Sequence, residues 1–170
     1  MIVSLISTLA LFVSTIYNIH FSDIDGTDRS FNSFEHKKIL IVNIASNSNR
    51  VDQIEGLQTL YNLYHDSLVI VAIPSNSFGS EPKSNIEIKQ LCIQQYNCSF
   101  IIAEKQSVVG DSSSSIYKWL GQVSENGVAD VNIAGDFEKI LIDGQGSIIG
   151  LFAPEIEPTS SMIKNAIEDK

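Results

Sequence analysis

One stretch of the sequence, residues 38–58, constrains the fold more than any other. It reads KILIVNIASNSNRVDQIEGLQ, in which a run at residues 39–45 that is apolar except for Asn43 is followed by a polar break and then by apolar residues at helical spacing. An apolar run of this length is typical of a strand that is buried on both faces of a sheet. The stretch therefore predicts a central strand, a turn and an amphipathic helix in an α/β domain.

The turn at residues 46–50 is where this unit can hold a reactive group. The backbone N–H groups of a first helical turn and the helix dipole both favour an anion, and a cysteine placed there has a lowered pKa. This chain has Ser48 at that point. A serine hydroxyl stays protonated at neutral pH without a paired base, and its oxygen has no oxidation step like that of a thiol. Redox chemistry of the kind that a thiol performs therefore cannot run through Ser48.

Further patterns complete the prediction of an α/β fold. A second apolar strand is expected at residues 68–73, and a capping box at residues 84–87 opens a helix that runs to about Tyr96. A short helix ends at residues 116–120, where the lone Trp119 is interpreted as a packing residue, and residues 121–135 show no periodicity and read as a connection. We expect a central mixed sheet flanked by helices on both faces.

Two turn patterns predict antiparallel hairpins, one around Asp25-Gly26 and one around residues 143–146. The aspartates near Asp25 lack the remaining ligands of a calcium loop, so we interpret them as a solvated turn. Pro158 is expected to open a last helix. The residues of that helix expected to face the core are Met162, Ile163, Ala166 and Ile167.

Composition limits the domain count and the partners. The chain has 170 residues, of which 44% are hydrophobic and 18% charged, as expected of one globular domain. Its net charge of −9 argues against nucleic acid and anionic membrane surfaces as partners. The spacing of Cys92 and Cys98, with three scattered histidines, matches no zinc motif, so we expect neither a metal nor another cofactor.

The first 16 residues are uncharged and mostly apolar. This length suits the core of a signal peptide but is short for a membrane span, and the positively charged start of a secretory signal is missing. We interpret residues 1–15 as an export signal or N-terminal anchor, with Val13 and Thr15 as small residues near a cleavage site, and residues 16–170 as the domain. The protein is then periplasmic, extracellular or membrane-anchored. The alternative, a buried first strand or helix, leaves a cytoplasmic protein.

The central stretch resembles the glutathione peroxidase family, whose pattern there is V-N-V-A-S-x-C-G-x-x-x-Q-x-x-x-L-Q. Residues 73–85, 115–120, 137–143 and 152–158 are similar to further blocks of that family in the same order. The retained positions of the first block are Val42, Asn43, Ala45, Ser46, Gln53, Leu57 and Gln58. The resemblance implies a thioredoxin-like fold over nearly all of residues 16–167.

The resemblance also implies where an active site would lie. The family reduces peroxide with a cysteine or selenocysteine that a glutamine, a tryptophan and an asparagine assist by hydrogen bonds. The matching positions here are Ser48, Ser77, Gly135 and Asp136, and all four are substituted. Each substitution weakens the same chemistry, since Asp136 also adds a negative charge that opposes an anion.

Cys92 falls where some members of the family carry a resolving cysteine. Its place on an apolar helical stripe also fits a small buried hydrophobe, and a disulfide with Cys98 is open on geometric grounds. Residues 121–135 lack the insertion of the tetrameric members, which favours a monomer.

Two functional readings follow. The first is a member of the family that has lost peroxide reduction and acts as a binding or structural scaffold for an unknown partner. The second is a thiol-dependent peroxidase or oxidoreductase of the oxidative stress response that uses Cys92 and Cys98. A hydrolase built on Ser48 needs a neighbouring base, and no histidine falls in a matched block.

Overall fold

The apolar run that dominates the sequence forms the middle strand of a five-stranded mixed sheet. A computed structural model describes residues 14–169. The sheet has the order β5-β4-β3-β6-β7, with β3 parallel to β4 and antiparallel to β6. Its strands are β3 (Lys38–Ile44), β4 (Leu68–Pro74), β5 (Ile101–Ile102), β6 (Lys139–Ile142) and β7 (Ile148–Phe152). Strands β1 (His20–Ser22) and β2 (Asp28–Ser30) form the predicted hairpin, in which Gly26 supplies the positive φ of the turn.

Five α-helices connect and cover the sheet. They are α1 (Gln53–Tyr64), α2 (Asn85–Gln90), α3 (Ser115–Leu120), α4 (Val123–Asn126) and α5 (Ser161–Glu168), and two 3₁₀ turns lie at Ile16–Asn18 and Phe31–Phe34. The predicted capping box opens α2, with Ser84 and Glu87 bonding reciprocally. The helix then widens into a π-helical segment at Leu91–Gln95.

The sheet separates two apolar cores. On one face, Leu40 and Val42 pack with Ile54, Leu57 and residues of α2 and α5. On the other face, the side chains that alternate with them along β3 pack with α3 and the two 3₁₀ turns, and Trp119 is buried there as predicted. The mixed sheet with helices on both faces is therefore confirmed.

Three details differ from the sequence prediction. The last helix begins at Ser161, with Ser160 as its N-cap, and not at Pro158. Met162 is 56% exposed and does not face the core, although Ile163 and Ile167 do. The short helix α4 interrupts the predicted connection, because the Asn126 side chain bonds to the backbone of Trp119, Leu120 and the following turn. Those contacts depend on tertiary structure and leave no periodic pattern.

Most of the predicted N-terminal segment, residues 1–13, lies outside the described residues. Ser14 and Thr15 lie against the domain: the Trp119 Nε1–H donates to the Ser14 carbonyl at 2.8 Å, and the Ser14 hydroxyl donates to the Glu125 carboxylate at 2.7 Å. Within residues 14–169, no helix is both long and apolar enough to cross a bilayer. The assignment of residues 1–15 as a signal or anchor stays a prediction.

Candidate functional site

The four positions that the resemblance implies as an active site lie at one end of the sheet. The register pairs Ile44 with Pro74 at the carboxyl ends of β3 and β4, and it pairs Val42 with Lys139 at the start of the antiparallel strand β6. Ser48 follows β3, Ser77 follows β4, and Gly135 and Asp136 precede β6. The topology thus brings all four positions to the same sheet end, which we call the sheet-end site.

Ser48 occupies a tight turn and not the helix itself. Its N–H donates to the Ala45 carbonyl at 3.3 Å, and α1 begins only five residues later, at Gln53. The Ser48 side chain is 8% exposed. Its one hydrogen bond among the described residues is accepted from the Arg50 backbone N–H at 3.4 Å. Since no side chain takes the hydroxyl proton in this arrangement, the hydrolase interpretation has no geometric support.

Glu81 fixes the loop after β4 against this turn. Its carboxylate is 1% exposed and accepts from the Ser46 N–H and the Ser46 hydroxyl, both at 2.7 Å, and from the Lys83 N–H at 3.1 Å. The Lys83 ammonium also donates to the Ser46 hydroxyl at 3.2 Å. A buried carboxylate with this many donors is well satisfied, so Glu81 works as a structural clamp.

Asn43 fixes the segment that carries Gly135 and Asp136. Its side-chain Nδ2 donates to the Gly135 carbonyl at 2.9 Å, its Oδ1 accepts from the Glu138 N–H at 3.2 Å, and its backbone carbonyl accepts from the Phe137 N–H at 2.7 Å. Phe137 has a φ of 67°, which is a strained value for a bulky residue. The three bonds of Asn43 hold this strained segment in place.

Two buried groups of the sheet-end site lack full pairing. Asp136 is 7% exposed, and its Oδ1 has no hydrogen-bond partner among residues 14–169. Lys139 is fully buried, with its ammonium donating to the Phe137 carbonyl at 2.7 Å and to the Pro154 carbonyl at 3.4 Å. Burial lowers the pKa of Lys139 from 10.5 to about 8.

The two cysteines lie away from the sheet-end site, on the face covered by α1. Cys92 is fully buried in the π-helical segment, as its apolar stripe predicted, and Cys98 is partly exposed three residues beyond that segment. The chain turns back between them through Asn97, whose φ is 52°, and the Cys98 N–H donates to the Cys92 carbonyl at 3.0 Å. Both thiols are free.

The environment of Cys98 disfavours its thiolate. A hydrogen bond with the Cys92 thiol is the largest cause that raises the pKa of Cys98, and burial of the Cys98 side chain adds to it. The pKa of Tyr96 is also raised, chiefly by burial and then by the charge of Asp52. Cys92 and Cys98 form what we call the dithiol pair, and the raised pKa of Cys98 keeps that thiol protonated at neutral pH.

Comparison with known proteins decides the family. A profile of the glutathione peroxidase family matches residues 16–121. The chain belongs to the glutathione peroxidase family. Glutathione peroxidase-like peroxiredoxin 2 of Saccharomyces cerevisiae is 32% identical over 149 residues, which cover 86% of this chain and 92% of that protein.

Solved structures agree with this assignment. The crystal structure of Trgpx in apo form has a TM-score of 0.70 at 26% identity, with 92% of this chain and 97% of that chain covered. A thioredoxin family protein of Chlorobium tepidum TLS has a TM-score of 0.67 at 14% identity, covering 91% and 97% of the two chains. The fold is thioredoxin-like, as predicted.

Not every relative has the same length. Putative glutathione peroxidase 7, chloroplastic, of Arabidopsis thaliana is 35% identical over 147 residues, which are 85% of this chain. This chain spans only 63% of the length of that relative.

Several residues that build the sheet-end site were not among the predicted site residues. Asn43, Glu81 and Lys139 hold its backbone, and all three are buried. Asn43 and Glu81 lie in blocks that resemble the family, and those blocks are the sequence signal that could have identified them. Lys139 lies in an apolar strand, where a lone charged residue is uncommon and could have been flagged.

Proposed function

We propose that this chain is a thiol-dependent oxidoreductase of the glutathione peroxidase family whose redox couple is Cys92 and Cys98. The observation that carries the proposal is the close approach of the backbones of Cys92 and Cys98, where the chain turns back at the end of one irregular helical segment. A disulfide needs two cysteines whose backbones are close, and the hydrogen bond from the Cys98 N–H to the Cys92 carbonyl meets that requirement. Further support comes from a relative that is named a peroxiredoxin.

Exposure assigns an order to the two cysteines. Cys98 borders a surface cavity, whereas Cys92 is fully buried, so a hydroperoxide meets the Cys98 sulfur first. That sulfur is oxidised to a sulfenic acid, and the peroxide is reduced to water or an alcohol. The Cys92 thiol then attacks the sulfenic acid and releases water, which leaves a disulfide. An external dithiol returns both cysteines to the reduced state and is itself oxidised.

The raised pKa of Cys98 sets the rate of this cycle. The thiolate is the nucleophile, and little thiolate is present at neutral pH when the pKa is raised. We therefore expect slow turnover at neutral pH and a rate that increases with pH. Ser48 contributes nothing to the reaction, because its oxygen cannot take the oxidation step.

Peroxide consumption by the reduced protein, with thioredoxin as reductant, tests the proposal. Wild-type protein and Ser48→Ala should consume peroxide equally, and mass spectrometry should find the Cys92–Cys98 disulfide after peroxide treatment. Cys98→Ser should abolish consumption, and Ser99→Ala is its matched control at an exposed neighbouring position. The proposal is contradicted if peroxide consumption is unchanged in Cys98→Ser. It is also contradicted if both cysteines of the wild-type protein stay reduced in excess peroxide at high pH.

The second candidate function is a scaffold without redox chemistry. It is favoured by Ser48 in place of the family's cysteine and by the low exposure of Ser48 and Asp136, which limits the access of small molecules to these two side chains. In this case the same assay shows no peroxide turnover with the wild-type protein or with any Cys98 variant, and the protein acts through a partner.

A further inference from the structure

One sequence motif spans the turn that carries Cys98 and has a meaning separate from the thiol. Residues 97–99 read Asn-Cys-Ser, which matches the pattern Asn-x-Ser that receives an N-linked glycan in secreted proteins. Of all the asparagines in the sequence, Asn97 is the only one with a serine or threonine two residues later. A motif this short also occurs by chance, so its place in the structure decides whether it can carry a glycan.

The structure places Asn97 where a glycan can project into solvent. Asn97 and Ser99 are both exposed, and they lie beyond the end of the π-helical segment in a stretch without regular structure. Asn97 has a φ of 52°, so the chain reverses its direction at this residue. A bulky and strongly hydrated modification is tolerated at such a surface turn, because it displaces no packed side chain.

Ser99 connects the motif to helix α1. The Gln58 side-chain amide donates to the Ser99 hydroxyl at 2.9 Å, and the Ser99 backbone N–H donates to the Gln58 side-chain oxygen at 2.8 Å. The serine of this motif takes part in recognition by the transferring enzyme, so a glycan has to be added before Ser99 packs against α1. Once the chain has folded, the same two bonds hold the turn while Asn97 stays exposed.

An N-linked glycan also requires that the chain enters a secretory compartment. The oligosaccharide is transferred on the lumenal side of the membrane, and a leading apolar segment directs a chain there. Residues 1–15 of this sequence are uncharged and mostly apolar, and they are predicted to be an export signal or anchor. Two features that lie far apart in the sequence therefore point to the same compartment. Neither of them depends on the redox chemistry of Cys92 and Cys98.

From the motif and its exposed turn we propose that Asn97 is an acceptor site for an N-linked oligosaccharide. The donor is an oligosaccharide carried on a lipid pyrophosphate. The Asn97 side-chain nitrogen attacks the anomeric carbon of the donor, so that a C–N bond forms and the C–O bond to the pyrophosphate breaks. The amide loses one proton and the lipid pyrophosphate is the leaving group, and no electron is transferred in this step.

Translation of the full chain in a lysate that contains endoplasmic-reticulum microsomes tests the site. We expect part of the chain to be protected from added protease and to migrate as a larger species, which peptide N-glycosidase F returns to the size of the unmodified chain. Asn97→Gln and Ser99→Ala should both lose the larger species, whereas Ser99→Thr should keep it. Asn62→Gln is the matched control at an exposed asparagine outside such a motif, and it should be modified like the wild type.

Three results overturn the site. A wild-type chain that is protected from protease but carries no glycan has reached the compartment without being modified at Asn97. A wild-type chain that stays outside the microsomes never meets the sugar donor, so the export prediction and the site fail together. A larger species that persists in Asn97→Gln carries its modification elsewhere. None of these results bears on the proposed redox function, which is measured separately by peroxide consumption.

Discussion

The sheet-end site and the dithiol pair divide the features of a redox centre between them. The sheet-end site has the supports, with the Glu81 and Asn43 clamps holding a turn and a strained segment, but it carries Ser48 at the position where the resemblance implies a nucleophile. The dithiol pair has two neighbouring thiols, yet Cys92 is buried in an irregular helix and the raised pKa of Cys98 keeps that thiol protonated at neutral pH. A residue is not made reactive by its position alone, and a cysteine is not made reactive by its thiol alone.

The two regions also differ in how they are stabilised. The sheet-end turn is held by hydrogen bonds between segments that are far apart in sequence, such as Ser46 with Glu81. The dithiol segment is local, and its shape depends on one π-helical turn and one left-handed residue, Asn97. A π-helical turn is the usual result of one extra residue in a helix. The following predictions test whether this division is real.

The largest expected effect is the return of peroxide reduction to the sheet-end site. Ser48→Cys alone should recover little activity, because the turn lies before α1, where the helix dipole has weakened, and Asp136 opposes a thiolate. Adding Ser77→Gln, Gly135→Trp and Asp136→Asn should raise the rate by about 10²–10³ for each restored donor. A Cβ at Gly135 meets only the Pro154 side chain, at 3.6 Å, so the tryptophan can be accommodated at its base.

Hydroperoxide consumption at a fixed concentration of reductant measures this gain. Ser80→Cys places a thiol on the facing loop and serves as the control, with no expected gain. If Ser48→Cys alone were as active as the variant with all four substitutions, the missing donors would be irrelevant. The activity of this site would then depend only on whether position 48 carries sulfur or oxygen.

The second effect concerns the Glu81 clamp. Glu81→Ala should lower the free energy of unfolding by about 4 kcal/mol, because it leaves the Ser46 N–H, the Ser46 hydroxyl and the Lys83 N–H without their acceptor. Chemical denaturation measures the change. Glu155→Ala, at an exposed position, should stay within about 0.5 kcal/mol of wild type. A small loss in Glu81→Ala would mean that the turn is not held as described.

The third effect is a pH dependence from Lys139. Its pKa is about 8 in the folded chain and near 10.5 when exposed, so between these values the unfolded chain binds more protons. The free energy of unfolding should therefore rise with pH from about 8 to 10.5, by at most about 3 kcal/mol from this group. Below pH 8 the buried ammonium stays charged and the penalty remains in full.

The difference between wild type and Lys139→Met isolates this contribution. Urea denaturation at several pH values should show that the free energy of unfolding of the wild type rises relative to that of the variant above pH 8. Lys164→Met, on α5, is the control and should show no such gain. A flat difference would indicate that Lys139 keeps an ordinary pKa.

The smallest effect is expected in the dithiol segment. Asn97→Val should destabilise the protein by about 1 kcal/mol, since a β-branched residue tolerates a φ of 52° poorly, whereas Asn97→Gly should have almost no effect. Because Asn97 precedes Cys98, the valine variant should also form the Cys92–Cys98 disulfide more slowly. Thermal unfolding and thiol titration after peroxide treatment measure both results.

Most of the sheet could be predicted from the sequence, and the irregular parts could not. The apolar runs in β3, interrupted only by Asn43, and in β4 identify buried strands, because only a strand covered on both faces tolerates such a run. In contrast, β5 has two residues, and α4 depends on the bonds of the Asn126 side chain. Short elements of this kind are set by tertiary contacts and have no period to read.

The site was predictable to a similar degree. The resemblance located Ser48, Ser77, Gly135 and Asp136, and the topology brings these positions to one sheet end. A Cys92–Cys98 disulfide was left open, because six residues of ordinary helix and loop do not bring two cysteines together. The π-helical turn and the left-handed Asn97 do so, and neither has a pattern that single-sequence reasoning could identify.

The hydrogen bond from the Trp119 indole to the Ser14 carbonyl has a practical consequence. The chain has one tryptophan, so all indole emission comes from a buried ring whose N–H bonds to the residue next to the apolar N-terminal stretch. Indole emission responds to the loss of such a bond and to the arrival of water. The protein thus carries its own optical reporter of whether that stretch is attached, displaced or removed, and it needs no added label.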